Sequence, residues 1–146
     1  EHHGYQQYEI SNFAKPGYRS IHNSSYWHEV PYLGIGASAH SYNIGTRSWN
    51  IADIRQYIKA INNGMLPSES ETIDATTHYN DLVTTSLRTS DGMNLDSISP
   101  TFRQYALQCA DIHIKNGLLK HTDNRLQLTH EGLFVSDMIM SDLIKI

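Results

Sequence analysis

Between Tyr8 and Tyr42 the chain reads YEISNFAKPGYRSIHNSSYWHEVPYLGIGASAHSY. Few segments of an ordinary core combine His, Asn, Tyr, Trp and closely spaced glycines so densely, and the spacing admits only short elements. Tyr8–Ser11 reads as a strand, and Lys15-Pro16-Gly17 as a turn, because proline fixes φ and glycine accepts the backbone angles a reversal needs. Asn23 is a suitable cap for a helical turn over Ser24–His28, which Pro31 ends. Tyr32–Ile35 reads as a second short buried strand. Gly34 and Gly36 then bracket Ile35, followed by Ala37, Ser38 and Ala39, a run of small residues that lets a ligand or a neighbouring backbone approach closely.

A third strand fits Thr46–Trp49, after an Asn43-Ile44-Gly45 turn. From Asn50 to Asn63 the apolar positions Ile51, Ile54, Tyr57, Ile58 and Ile61 recur at three and four, which predicts an amphipathic helix with Asn50 as N-cap and Gly64 at C′. The segment 65–71, with Pro67 and two serines, reads as a linker, so the domain boundary is placed there, dividing 1–64 from 65–146. A helix is expected over Thr72–Thr89, with Ile73, Leu82, Val83 and Leu87 inward. Another begins at Ser99-Pro100, with serine as cap and proline at N1, and places Phe102, Tyr105, Ala106, Cys109, Ile112 and His113 on one face. Leu118–His121 and Arg125–Leu128 flank Thr122-Asp123-Asn124 as a hairpin, and Thr129 caps a last helix through Ile144. Helix, helix, hairpin, helix is the order of a winged helix-turn-helix.

Composition narrows the function. The chain has 146 residues and a net charge of −4, with 11 Lys and Arg. That argues against a phosphate-dominated interface, so no nucleic-acid partner is expected despite the winged-helix order. It has no long apolar run and no apolar core at its start, EHHGYQQY, so no transmembrane segment or signal peptide is expected and a cytoplasmic location is the plain reading. The first residues read as the interior of a longer gene product. The single cysteine, Cys109, excludes an internal disulfide and any multi-cysteine metal or iron–sulfur site within these residues. None of the nine histidines has an HExxH arrangement.

Three groups are candidate sites. His22, Asn23, Tyr26 and Trp27 offer an imidazole nitrogen and two flat faces, which suit an iron porphyrin, with His22 as the group that would reach the metal. The competing reading is a capped turn that buries Trp27, and spacing alone ranks it first. Gly34, Gly36, Ala37 and Ser38 form either a close-approach wall for an adenosine-type ligand or a tightly packed barrel corner. They are not a GxGxxG motif opening a helix. His40 and Ser41 are polar contacts to the same pocket or a satisfied polar pair, and Glu9 points either into a pocket or to solvent. No catalytic residue is assigned.

The run YEISNFAKPGY, then HNSSYW, then YLGIGASAHS and finally LTHEGLFVSD resembles the C-terminal part of radical SAM proteins of the HemW group, relatives of the oxygen-independent coproporphyrinogen III oxidases. The resemblance covers nearly the whole chain. It implies an α+β chain, the last strands of a partial (β/α) barrel followed by a helical, winged-helix-like C-terminal domain. In the family, the whole protein carries a 4Fe–4S cluster on a CxxxCxxC motif, S-adenosylmethionine and haem. It implies a haem chaperone delivering haem to haem-accepting proteins, with oxidative decarboxylation of coproporphyrinogen III as the alternative. HNxxYW, matched by His22, Asn23, Tyr26 and Trp27, is linked to haem in that family, and Leu33–Ala37 resembles a segment that contacts S-adenosylmethionine. The three cluster cysteines have no match here, so radical chemistry is not expected of these residues alone. The strands left at the sheet edge are expected to pair with the N-terminal remainder of the barrel or with another chain.

Overall fold

The computed structural model describes residues 3–146. In chain order the first elements are strands β1 (Gln6–Glu9) and β2 (Asn12–Ala14), helix α1 (Ile21–Trp27), strands β3 (His40–Asn43) and β4 (Thr46–Asn50), helix α2 (Ile54–Asn62) and strand β5 (Ser68–Thr72). Helix α3 (Ala75–Ser86), strand β6 (Met93–Asn94) and a 3-10 turn at Leu95–Ser97 come next. Helix α4 (Pro100–Lys115), strands β7 (Leu119–Thr122) and β8 (Arg125–Leu128), and helices α5 (His130–Leu133) and α6 (Ser136–Leu143) complete the chain. The elements make a mixed α+β structure with three small antiparallel sheets and no closed barrel among the described residues.

Two compact units result. One joins the residues up to His28 to Thr76–Ile146, and the other is Glu29–Ala75. In the first, α3, α4 and α6 pack with the β6-β8-β7 sheet around Tyr79, Val83, Leu87, Met93, Leu95, Leu126, Ile139 and Leu143, all buried. Ala106 and Ala110 on α4 are fully buried one turn apart, so α4 presents a smooth face to its neighbours. The Tyr79 hydroxyl donates to Leu143 O at 2.9 Å, and its ring lies parallel to Phe102 at 4.7 Å. Burial pushes the Tyr79 phenol well up from its ordinary value, so it acts as a fixed donor. The wing hairpin forms where the sequence signals it: Asp123 and Asn124 both take positive φ, 48° and 61°, as a two-residue turn matched to strand twist requires.

Several boundaries differ from the sequence expectation, each for a local reason. The expected strand at Tyr8–Ser11 is a hairpin, with β1 pairing β2 around Ile10 and Ser11. The expected linker 65–71 contains strand β5, which pairs with β4 along its whole length. All five residues of β5 are exposed, so no apolar alternation marks it. The boundary between units therefore falls after β5 rather than after Gly64, and α3 starts only at Ala75. Asn50 does not cap α2; Asp53 does, accepting from Gln56 N at 2.9 Å. Ile54, Ile58 and Ile61, expected inward, are exposed in the described chain, as is Ile112 on α4. The expected last helix is broken at Phe134 and Val135 into α5 and α6.

Candidate functional site

Helix α1 carries the HNSSYW residues. Its cap is Ser20, whose Oγ accepts from Asn23 N at 3.2 Å, so the expected cap Asn23 lies inside the first turn and the helix starts earlier than expected. Both residue types suit a cap, and Ser20 wins by standing three positions ahead. Positions four apart share a helix face, and the motif therefore splits into two stripes. His22 and Tyr26 form the outer stripe. Tyr26 OH lies 3.2 Å from His22 Nε2, and the rings meet edge-on at 5.0 Å. Asn23 and Trp27 form the inner, half-buried stripe. No residue of α1 is fully buried, so the expectation of a capped turn built to bury Trp27 is met only in part.

Trp27 meets Arg88, whose guanidinium carbon lies 5.6 Å from the indole centre, a cation–π geometry. Arg88 in turn holds Glu9 through Nε at 3.0 Å and Nη2 at 2.9 Å, both on Oε1. The other carboxylate oxygen accepts from Ser11 N and Ser11 Oγ at 3.0 Å each, and from Asn12 Nδ2. Burial alone would raise the Glu9 pKa, but the hydrogen bonds from Ser11, Asn12 and Arg88 outweigh it and hold the carboxyl below its ordinary value. Glu9 is therefore neither solvent-facing nor a free pocket acid. Arg88 was not legible as a site residue, since its partner lies 79 positions away. Two further tethers at the margins of α1 meet on Asp91: His28 Nε2 lies at 3.5 Å and Arg19 Nη1 at 3.4 Å.

The glycine segment belongs to the second unit. Tyr32–Ile35 is not a buried strand: only Tyr32 pairs, with Tyr42, and Leu33 and Ile35 are 77% and 85% exposed. A Cβ at Gly34 would lie 2.1 Å from His40 O, so glycine is required there by the chain's own approach. Gly36 takes φ +110° and a Cβ there would meet open space, so backbone conformation alone demands glycine. Gly34 N donates to Ser41 Oγ at 3.0 Å and Gly36 N to Tyr57 OH at 3.2 Å. Asn50, 5% exposed, donates from Nδ2 to Gly36 O at 2.9 Å and Gly34 O at 3.3 Å. Asn50 and Tyr57 are thus the braces of the segment. His40 and Ser41, adjacent on β3, serve different places: Ser41 braces Gly34, while His40 lines a cleft of about 500 Å³ with Ser38, Trp49, Ile51 and Glu69.

Among the described residues no group of three or more His, Cys, Asp or Glu is arranged to hold a metal ion. The lone thiol, Cys109, is half-buried on α4. An iron–sulfur cluster held on three thiolates does not fit the donor set of these residues.

The family model for the HemN C-terminal domain matches residues 73–135, the α3-to-α5 segment with its wing. The chain is similar to the heme chaperone HemW of Bacillus subtilis, 33% identical over 95% of this chain and 38% of that one. It is also similar to the heme chaperone HemW of Lactococcus lactis, 28% identical over 97% of this chain and 38% of that one. This chain carries a HemN C-terminal domain and is a relative of the HemW heme chaperones along nearly its whole length. Among solved structures, the coproporphyrinogen III oxidase HemN of Escherichia coli, a radical SAM enzyme, superposes with a TM-score of 0.68 over 97% of this chain and 37% of that one. At 19% identity that likeness shows the fold alone. The chain spans well under half the length of these relatives. None of its helices is long and apolar enough to cross a membrane among the described residues.

Proposed function

We propose that this chain is the haem-handling part of a HemW-like protein, with α1 as the haem contact, His22 as the group that meets the iron, and haem-accepting proteins as the recipients. The observation that carries this reading is the split of HNSSYW into two stripes. His22 and Tyr26 stand exposed and mutually hydrogen-bonded, while Trp27 takes the anchoring role through Arg88. The Tyr26 hydroxyl at His22 Nε2 orients the imidazole, as the partner of a metal-binding histidine does. The relatives named as heme chaperones supply the cargo. A cytoplasmic location belongs to the same reading.

Leu33, Gly34, Ile35, Gly36 and Ala37 are proposed as a wall for S-adenosylmethionine in the whole protein. Leu33 and Ile35 offer exposed apolar side chains and Gly36 leaves open space, which suits an adenine face. The NH groups of Gly34 and Gly36 are already committed to Ser41 and Tyr57, so the wall would act by shape. S-adenosylmethionine, when bound in the whole protein, is the source of radical chemistry. These residues would bind and exclude water, and the thiolates for a cluster lie outside them. Oxidation of a coproporphyrinogen is the second reading, favoured only by the fold shared with HemN.

Haem titration of the intact protein and of His22→Ala tests the proposal. The variant should lose affinity by roughly tenfold or more, the scale of a lost metal ligand or its partner, and shift the Soret band. Unchanged affinity together with an unchanged Soret band would remove His22 from the site.

A further inference from the structure

Beside α1, within the same unit, lies a cleft of about 420 Å³ whose lining includes Gln7, Glu9, Arg88, Lys120, Thr129 and His130. Its charges do not cancel. Arg88 and Glu9 neutralise each other, but that pair uses Nε and Nη2, and Nη1 takes no part in it. Lys120, on β7, is exposed and has no ion-pair partner among the described residues. His130 is exposed, and its ring meets Phe134 edge-on at 5.3 Å. The cleft therefore keeps one uncompensated cation, the outer edge of a guanidinium and an imidazole, and no uncompensated carboxylate among its lining residues.

Arg88 connects this cleft to the motif helix, since its guanidinium carbon lies 5.6 Å from the Trp27 ring centre and the same residue lines the cleft. The same tryptophan carries a buried indole N–H with no acceptor, and an unmet buried donor costs free energy until an acceptor arrives. A flat ligand held by α1 that also bears flexible anionic arms would match both features. Haem has that form, with two propionate carboxylates at its edge. Resting on the haem reading above, we propose that this cleft is a carboxylate subsite, in which Lys120 and the outer edge of Arg88 take a propionate of the tetrapyrrole. Guanidinium and ammonium groups suit carboxylates through charge-assisted hydrogen bonds. Glu9 limits Arg88 to one available edge, so the subsite fits one planar carboxylate rather than a polyphosphate.

The test compares haem with haem dimethyl ester, whose carboxylates are blocked, in titrations of the intact protein. Wild type should bind haem roughly tenfold more tightly than the ester, the size of one lost charge-assisted bond. Lys120→Ala, an exposed change, should remove most of that preference while leaving ester affinity unchanged, and Lys120→Glu should reverse it. Equal affinity of wild type for haem and ester would overturn the subsite and leave haem binding standing. So would a Lys120→Ala variant that weakens both ligands alike. Failure of wild type to bind either ligand would remove the haem reading and the subsite together.

Discussion

Replacing Arg88 by alanine strands a carboxylate. Glu9 has a side chain only 1% exposed, and Arg88 supplies a counter-charge through two contacts on Oε1. Removing one partner of a buried pair costs about 3–5 kcal/mol when nothing else compensates. Here Ser11 and Asn12 still donate to Oε2, and the Arg88 side chain is 33% exposed and partly screened, which moves the expected cost to the lower end. Loss of the Trp27 contact adds about 0.5–1 kcal/mol. The expected destabilisation is about 3–4 kcal/mol at pH 7, read by urea denaturation tracked through tryptophan fluorescence. The pH dependence gives a second check. The Glu9 carboxyl is held below its usual 4.5 in the folded chain, so the stability it contributes is present above that value and lost as pH falls through the folded pKa. Without Arg88 the folded pKa rises, so the gap between variant and wild type should be full at neutral pH and narrow below about pH 4.5. A cost under about 0.5 kcal/mol at pH 7, or a gap that stays constant into acid, would refute this account of the pair.

Two further substitutions separate tight packing from ligand access in the second unit. Gly34→Ala drives a Cβ to 2.1 Å of His40 O and should destabilise the Glu29–Ala75 unit by about 3 kcal/mol or more, on the order of severe overpacking, measured by limited proteolysis within 29–75. Gly36→Ala meets open space but a positive φ, so its cost should stay near about 1–2 kcal/mol; equal effects of the two changes would discard the distinction. Asn50→Ala should cost about 2–3 kcal/mol because two carbonyls lose a buried donor. Asp53→Ala should cost less than Asn50→Ala, as the loss of an exposed cap, and the reverse order would restore Asn50 as the helix cap.

How far each element was legible in the sequence depends on how local its signal is. The start of α4 at Ser99-Pro100 and the Asp123-Asn124 turn depend on neighbouring residues only, and both stand where expected. Strand β5 was invisible because SESET has no apolar face to alternate, and its partner strand alone defines it. Asn50 misled because asparagine suits a helix start as well as a buried brace, and only the return of Gly34 and Gly36 to its amide distinguishes them. The residues of HNSSYW were visible as a group, but their division into stripes hangs on which of two cap-competent residues begins the helix. A shift of the start from Asn23 to Ser20 puts all four motif residues on one helix.

That shift also explains why the anchor matters more than the helix. Seven residues are too few to hold a helix in water by their own hydrogen bonds, and α1 buries none of them. Its place is set instead by tethers to chain far away in sequence or at its margins: Ser20 N donating to Tyr8 OH at 3.4 Å, Arg19 and His28 on Asp91, and Trp27 on Arg88. These tethers end on β1 and on the turn after α3, within the unit whose core is built by α3, α4 and α6. The stripe of His22 and Tyr26 is the exposed face of α1. A helix held through Trp27 by an arginine that Glu9 fixes in place can present an imidazole to a ligand. The same arginine borders the cleft that holds Lys120, so the positioning of the motif and the charge available to an anionic arm depend on one side chain.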